Sequence, residues 1–142
     1  MMNADIATRI VELAETGFAG LEYVQQRNEA CCYEQGIPVF LDVLEAFASI
    51  EKTLWDHGCY KNNVVLFTDL LRDGISLMVQ AYEQQYEQQY TELISKLVIP
   101  LYRVWQSELC RTLSGYLSLV SSQVDDFAIF RSEKRHLHLV SN

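Results

Sequence analysis

Two prolines and six glycines are all that punctuate this chain of 142 residues. Sandwiches, barrels and doubly wound α/β folds turn tightly and often, and each turn draws on residues with special backbone angles. A chain so poor in them needs a fold with few turns, and long helices supply one. The scarcity therefore predicts an all-α architecture, and the length allows one domain. Apolar residues at 49% and charged residues at 21% give enough apolar surface to bury a core and exclude a disordered chain.

Apolar spacing divides the chain into four helical segments. The first is expected from Asn3 to Gln35, with Asn3 or Asp5 as its cap and Gly36 as a left-handed stop. Ile6, Ile10, Leu13, Gly17, Leu21 and Val24 make its apolar stripe, while Glu15, Glu22 and Glu29 form a solvated row. Gly17 and Gly20 weaken the helix by about 1 kcal/mol each, which predicts a close crossing or a kink there. Cys31 and Cys32 fall within this segment, where adjacent side chains diverge. The second segment starts at Pro38, suited to a first turn, carries Phe40, Leu44, Phe47, Ile50 and Leu54, and ends at Gly58. The third is capped at Asn62–Asn63 and buries Phe67, Leu71, Ile75, Met78 and Tyr82. A break near Gln84–Glu87 separates it from the fourth, Tyr86 to Ser122, which contains Pro100 and is kinked by it. One row of the fourth segment holds Ile94, Leu97, Leu101 and Val104, and a second holds Tyr102, Trp105, Leu109, Tyr116 and Val120. So wide an apolar arc marks the central helix.

Short connections make successive helices antiparallel neighbours. The expected fold is an up-down bundle of four main helices over residues 1–122, with the second and third paired as a hairpin between the longer first and last. Residues 123–142 form a short C-terminal helix or arm, packed on the bundle or on a neighbouring subunit.

Eleven basic residues against nineteen acidic ones give a net charge of −8, which disfavours nucleic acid as a partner. Residues 131–142 alone carry the opposite sign, with Arg131, Lys134 and Arg135 against Glu133. The first fifteen residues lack the pattern of a signal peptide, and no run reaches the length of a membrane span. With four cysteines read as free and mostly buried thiols, the expected location is cytoplasmic.

Catalytic and cofactor patterns are missing. The three histidines, His57, His136 and His138, form no Glu-x-x-His pair, and His57-Gly58-Cys59 has no second half at zinc spacing. No glycine-rich phosphate loop occurs. No cofactor and no metal are expected. The repeat Tyr82-Glu-Gln-Gln-Tyr86-Glu-Gln-Gln-Tyr90 flanks the predicted break, where its rings either cap the bundle end with hydroxyls in water or offer an aromatic patch. Together with Phe127 and Phe130 these tyrosines are the candidate partner-binding residues. They point to a non-enzymatic protein-interaction module, of the adaptor, small-chaperone or assembly-factor kind, that binds a protein partner or itself as a homodimer.

Two resemblances accompany this reading. The elements LDVLEAFASIEKTLWD, LLRDGISLMVQAYEQQ and LVIPLYRVWQSEL, within residues 41–116, resemble a group of small uncharacterised bacterial helical proteins. In that group Ala-Tyr-Glu, here Ala81-Tyr82-Glu83, ends one helix, and a proline precedes a tryptophan in the next, here Pro100 and Trp105. The resemblance implies the helix break near residue 85 and implies no activity. Separately, Arg131-Ser-Glu-Lys-Arg-His136 resembles the Arg-x4-His motif of the HEPN family of helical, metal-independent ribonucleases. Carried over, Arg131 would stabilise phosphate charge and His136 would transfer a proton. Ser132 stands where that family prefers Asn or Asp, and only six residues follow His136.

Overall fold

The computed structural model describes the backbone of residues 1–136 and the side chains of residues 1–117. Helix α1 spans Ala4–Glu29, α2 Tyr33–Asp56, α3 Asn63–Glu83 and α4 Glu87–Leu93. A π-helical turn, Ile94–Val98, joins α4 without a break to α5, Ile99–His136. Among the described residues there is no strand, and the fold is an all-α bundle.

Residues that meet across neighbouring helices run in opposite order. Gly20 lies against Val43 and Gly36 against Val24. Ala14 bonds to Tyr102 and Gln25 to Ser95, while Thr68 bonds to Trp105 and Gly74 lies against Leu97. Each long helix thus runs against the one before it, and α5 returns alongside α1. Backbones approach closely in α1 with α2, α1 with α5 and α3 with α5. The expected hairpin of the second and third helices does not form in that way. Trp105 reaches between α2 and α3, packing on Phe47 with ring centroids 5.2 Å apart and donating to Thr68 Oγ1 at 3.0 Å. A side chain of that size keeps the two backbones apart, and an Arg72–Glu51 ion pair spans the space beside it.

The helix limits follow a single stopping device, used three times. Cys31, Gly58 and Gln85 adopt positive φ of 60°, 77° and 63°. Each N–H of these residues returns to a carbonyl three back, and the next N–H returns five back: Cys32 to Arg27, Cys59 to Leu54 and Tyr86 to Ala81. This closure satisfies carbonyls that a helix end leaves orphaned. Gly58 and the break near residue 85 fall where the sequence places them, and Asn3 Oδ1 caps α1 by accepting from Ile6 at 2.9 Å. The first stop does not. It is Cys31 and not Gly36, so α1 is shorter than expected and Pro38 lies inside α2 rather than in its first turn. Gly36 is instead buried within α2 beside Val24, where a Cβ would make only ordinary contact with the Val24 backbone at 3.4 Å.

The core holds Ile10, Leu21, Val24, Phe47, Ile50, Leu54, Leu71, Met78, Trp105, Leu109 and Leu113, with Asn28 and Thr68 its buried polar residues. Tyr82, expected on the buried face of α3, is exposed, and Thr68 and Gly74 take up that face instead. α5 continues past Ser122 with helical backbone to His136.

Gly17 shows how the close crossing works. A Cβ on it would overlap the Tyr102 hydroxyl, which donates to the Ala14 carbonyl at 2.7 Å. Gly115, also in a helix, has nothing near the same position. Gly17→Ala should therefore cost about 2–4 kcal/mol through overpacking and a lost buried hydrogen bond. Gly115→Ala should stabilise by about 0.5–1 kcal/mol through helix propensity alone. Urea unfolding of the two variants checks the opposite signs.

Candidate binding surfaces

The α1–α2 and α3–α4 turns lie at the same end of the bundle and enclose an open cleft of about 870 Å³. Its lining runs from Cys31 to Gln35 on one side, with Tyr82, Glu83, Gln85, Glu87 and Tyr90 on the other. The cleft is acidic, since Glu34, Glu83 and Glu87 face it and no basic residue does. Arg27, nearby on α1, is engaged with Gln35 at 2.9 Å and lies over the Tyr23 ring.

The tyrosine repeat divides here. Tyr82 is 39% exposed and Tyr86 56%, but Tyr90 is only 1% exposed. Tyr90 packs against Tyr33, Phe40 and Tyr82, so its ring supports the cleft floor rather than meeting a partner. Four-residue spacing on a continuous helix would carry the three rings slowly around it. The stop at Gln85 instead folds Tyr90 back beneath Tyr82. Phe127, Phe130, Arg131 and His136 lie on the C-terminal part of α5, where side chains are outside the described residues.

Beneath the cleft the Tyr90 hydroxyl and both polar atoms of the Asn28 side chain are buried without a hydrogen bond of ordinary geometry. Burial pushes the Tyr90 hydroxyl up to about 12; the nearby Tyr82 adds to this and Asn28 opposes it. Burial also raises Tyr102. Cys31 and Cys32 do not share a helix as expected. They form the turn itself, and both line the cleft, Cys31 exposed and Cys32 half-buried. Cys59 is buried, and Cys110 is half-buried with its thiol raised by desolvation and by Glu15. No group of three or more His, Cys, Asp or Glu among the described residues is placed to hold a metal ion. No helix of the described residues is long and apolar enough to cross a membrane.

A second surface was missed in the sequence. On α3, Leu66, Leu70 and Leu77 are 52%, 41% and 44% exposed. At about 100° per residue they fall within a 40° arc. On α5, Val104 is 44% exposed and follows Leu97 and Leu101, which pack over Gly74. The row Leu97, Leu101 and Val104 had been visible as apolar; the α3 leucines were masked by the stronger core stripe beside them. The signal that could have found them is a second leucine series offset from Leu71, Ile75 and Met78. Trp55, 68% exposed and tilted against Tyr60 with ring centroids 5.6 Å apart, is a further exposed ring at the opposite end.

Two expected outcomes follow. A non-glycine in the left-handed region costs about 1 kcal/mol, so Gln85→Gly should raise unfolding free energy by about 0.5–1 kcal/mol in a denaturant titration. The raised tyrosines stay protonated in the folded chain after they ionise in the unfolded one. The folded state then binds more protons, and stability falls as pH rises above 10, by about 1.4 kcal/mol per pH unit for each such tyrosine. The raised Cys110 thiol acts in the same sense from about pH 9, where the fall begins, and the fall for Tyr90 is complete near pH 12. Urea midpoints across the alkaline range test this, and Tyr90→Phe should flatten the fall.

Comparison with known proteins finds no match among curated proteins and none among solved structures. A family model described as a domain of unknown function, DUF8042, matches residues 5–108. That span covers most of the chain and takes in both sides of the cleft, Gly17, Thr68, Gly74, Tyr102 and Trp105. The chain therefore belongs to the DUF8042 family.

Proposed function

We propose that the protein is a non-enzymatic protein-interaction module of the adaptor, small-chaperone or assembly-factor kind, and that it receives an amphipathic helix of a partner along the α3–α5 seam. The observation that carries this is the row Leu66, Leu70 and Leu77 with Val104, exposed over a core that is already filled beneath it. These leucines contribute little to the core, yet keep apolar surface in water at a cost of about 25 cal/mol per Å². Leucines at i, i+4 and i+11 suit the helix-in-groove mode of recognition, in which an apolar stripe settles between two helices. Asp73 is exposed about 20° beyond one edge of that arc, so the matching helix carries Lys or Arg opposite it. The net charge of −8 favours a basic partner over the same range. Tyr82 and Tyr86 provide a smaller exposed aromatic area at the cleft end. A cytoplasmic setting agrees with four free thiols in the described chain.

The test compares capture by the full chain with capture by Leu70→Ser/Leu77→Ser. The expected result is one protein enriched in stoichiometric amount by the wild type and reduced at least about tenfold in the variant, as loss of two buried apolar anchors implies. Thermal unfolding of the two should nearly coincide, since both positions are at the surface. Equal capture by both chains, or no stoichiometric partner for the wild type, would overturn the assignment.

A further inference from the structure

The turn that stops α1 brings two thiols to one place. Adjacent side chains on a helix diverge by about 100°, and on a strand they point to opposite faces. Here Cys31 takes φ 60° and Cys32 follows at φ −110°, and both line the same cleft. Their positions are fixed by the closing bonds of the turn, Cys31 N–H to Asn28 O at 3.0 Å and Cys32 N–H to Arg27 O at 2.7 Å. Cys31 is exposed and Cys32 half-buried with its thiol 3.5 Å from the Ala30 carbonyl, so a reagent in the cleft meets the first sulfur before that of the next residue. Glycine would occupy the Cys31 position without strain, and a glycine would remove one of the two sulfurs.

We propose that Cys31 and Cys32 form a vicinal dithiol site for a trivalent arsenic- or antimony-type centre, held through both sulfurs. The chemistry of the surroundings selects this class. Cys59 and Cys110 are not in the cleft, and no set of three metal-ligating side chains exists among the described residues. A centre satisfied by two sulfurs and a substituent of its own fits, whereas a four-coordinate zinc does not. The carboxylates of Glu34, Glu83 and Glu87 repel anions. They admit neutral trivalent hydroxides or oxides. The Tyr33 and Tyr82 rings give an apolar wall for an organic substituent. In the capture step two S–H bonds break and two S–As bonds form, and the oxygen of the arsenic oxide leaves with both protons as water. Arsenic stays trivalent, and no oxidant or reductant is consumed.

The probe is phenylarsine oxide added to the reduced full-length chain. One equivalent should bind and lower the count of free thiols from four to two. A dithiol should release it, while a monothiol at the same concentration should not. Cys31→Ser and Cys32→Ser should each weaken binding by about 10²–10⁴, the advantage of making the second bond within one molecule. Cys59→Ser and Cys110→Ser should bind as the wild type does. Cys31→Gly separates the sulfur from the turn: it should fold at least as stably as the wild type and lose tight binding. Release by the monothiol, a loss of only one thiol per arsenic, or tight binding by Cys31→Gly would each overturn the proposal.

Discussion

Tyr102 and Trp105 sit one turn apart on α5, and each carries a polar donor into the buried core. A buried donor left unpaired costs about 1–3 kcal/mol, so the positions of the other helices must answer both. Ala14 on α1 supplies a carbonyl for the Tyr102 hydroxyl, and Thr68 on α3 supplies a hydroxyl for the Trp105 indole. The Ala14 carbonyl is part of a helix and takes this bond on its second lone pair. That is feasible only because Gly17 leaves the approach open. The first bond joins the α1–α2 pair to the α3–α5 pair, and the second ties α5 to α3 within its own pair. With α2 and α3 held apart by the Trp105 ring, these links and the packing around them define the bundle.

The two ends of the bundle are built from the same kind of turn but at different cost. At one end Gly58 takes the left-handed angle of the helix stop freely, while Asn62, which leads into α3, also takes a positive φ of 59°. At the other, Cys31 and Gln85 take it under strain, and both line the cleft. Strained backbone in a folded protein is retained where surrounding contacts hold it. Here the holding contacts are the closing hydrogen bonds of the helix stops and the aromatic cluster around Tyr90.

Much of this architecture was legible in the residues. The shortage of glycine and proline gave the helical class, Asn3 the first cap, and Gly58 and the Gln84–Glu87 stretch two of the three stops. Gly17 and Gly20 marked a close crossing before any partner for them was known. The first helix end was not legible for one reason: a glycine near the end of a periodic run reads as a stop, but Gly36 lies buried within α2 beside Val24, and the stop falls on Cys31, a residue type that rarely takes it. From that single displacement followed the misplaced start of the second helix and the reading of Cys31 and Cys32 as diverging side chains. The exposed α3 leucines escaped for another reason. Periodicity reports that apolar residues share a face, and two adjacent apolar faces merge into one.

The π-helical turn at Ile94–Val98 has a consequence for the length of the chain. Buried positions along this helix fall at Tyr90, Ile94, Val98 and Tyr102, always four apart. In an unbroken α-helix each such step drifts by about 40°, and the last of these residues would leave the core. The wider π turn, with Ile99 N–H reaching back to Ile94 O, winds less per residue and cancels the drift. Such a turn is an α-helix with one residue to spare. Removing a residue elsewhere in the helix rotates everything after it by about 100°; removing exposed Lys96 would return the stretch to ordinary winding with Tyr90 and Trp105 still facing inward. The π turn, two turns into this continuous helix, is therefore the place where the fold can lose a residue and keep its faces, which makes a one-residue gap at this point the expected form of length variation among relatives.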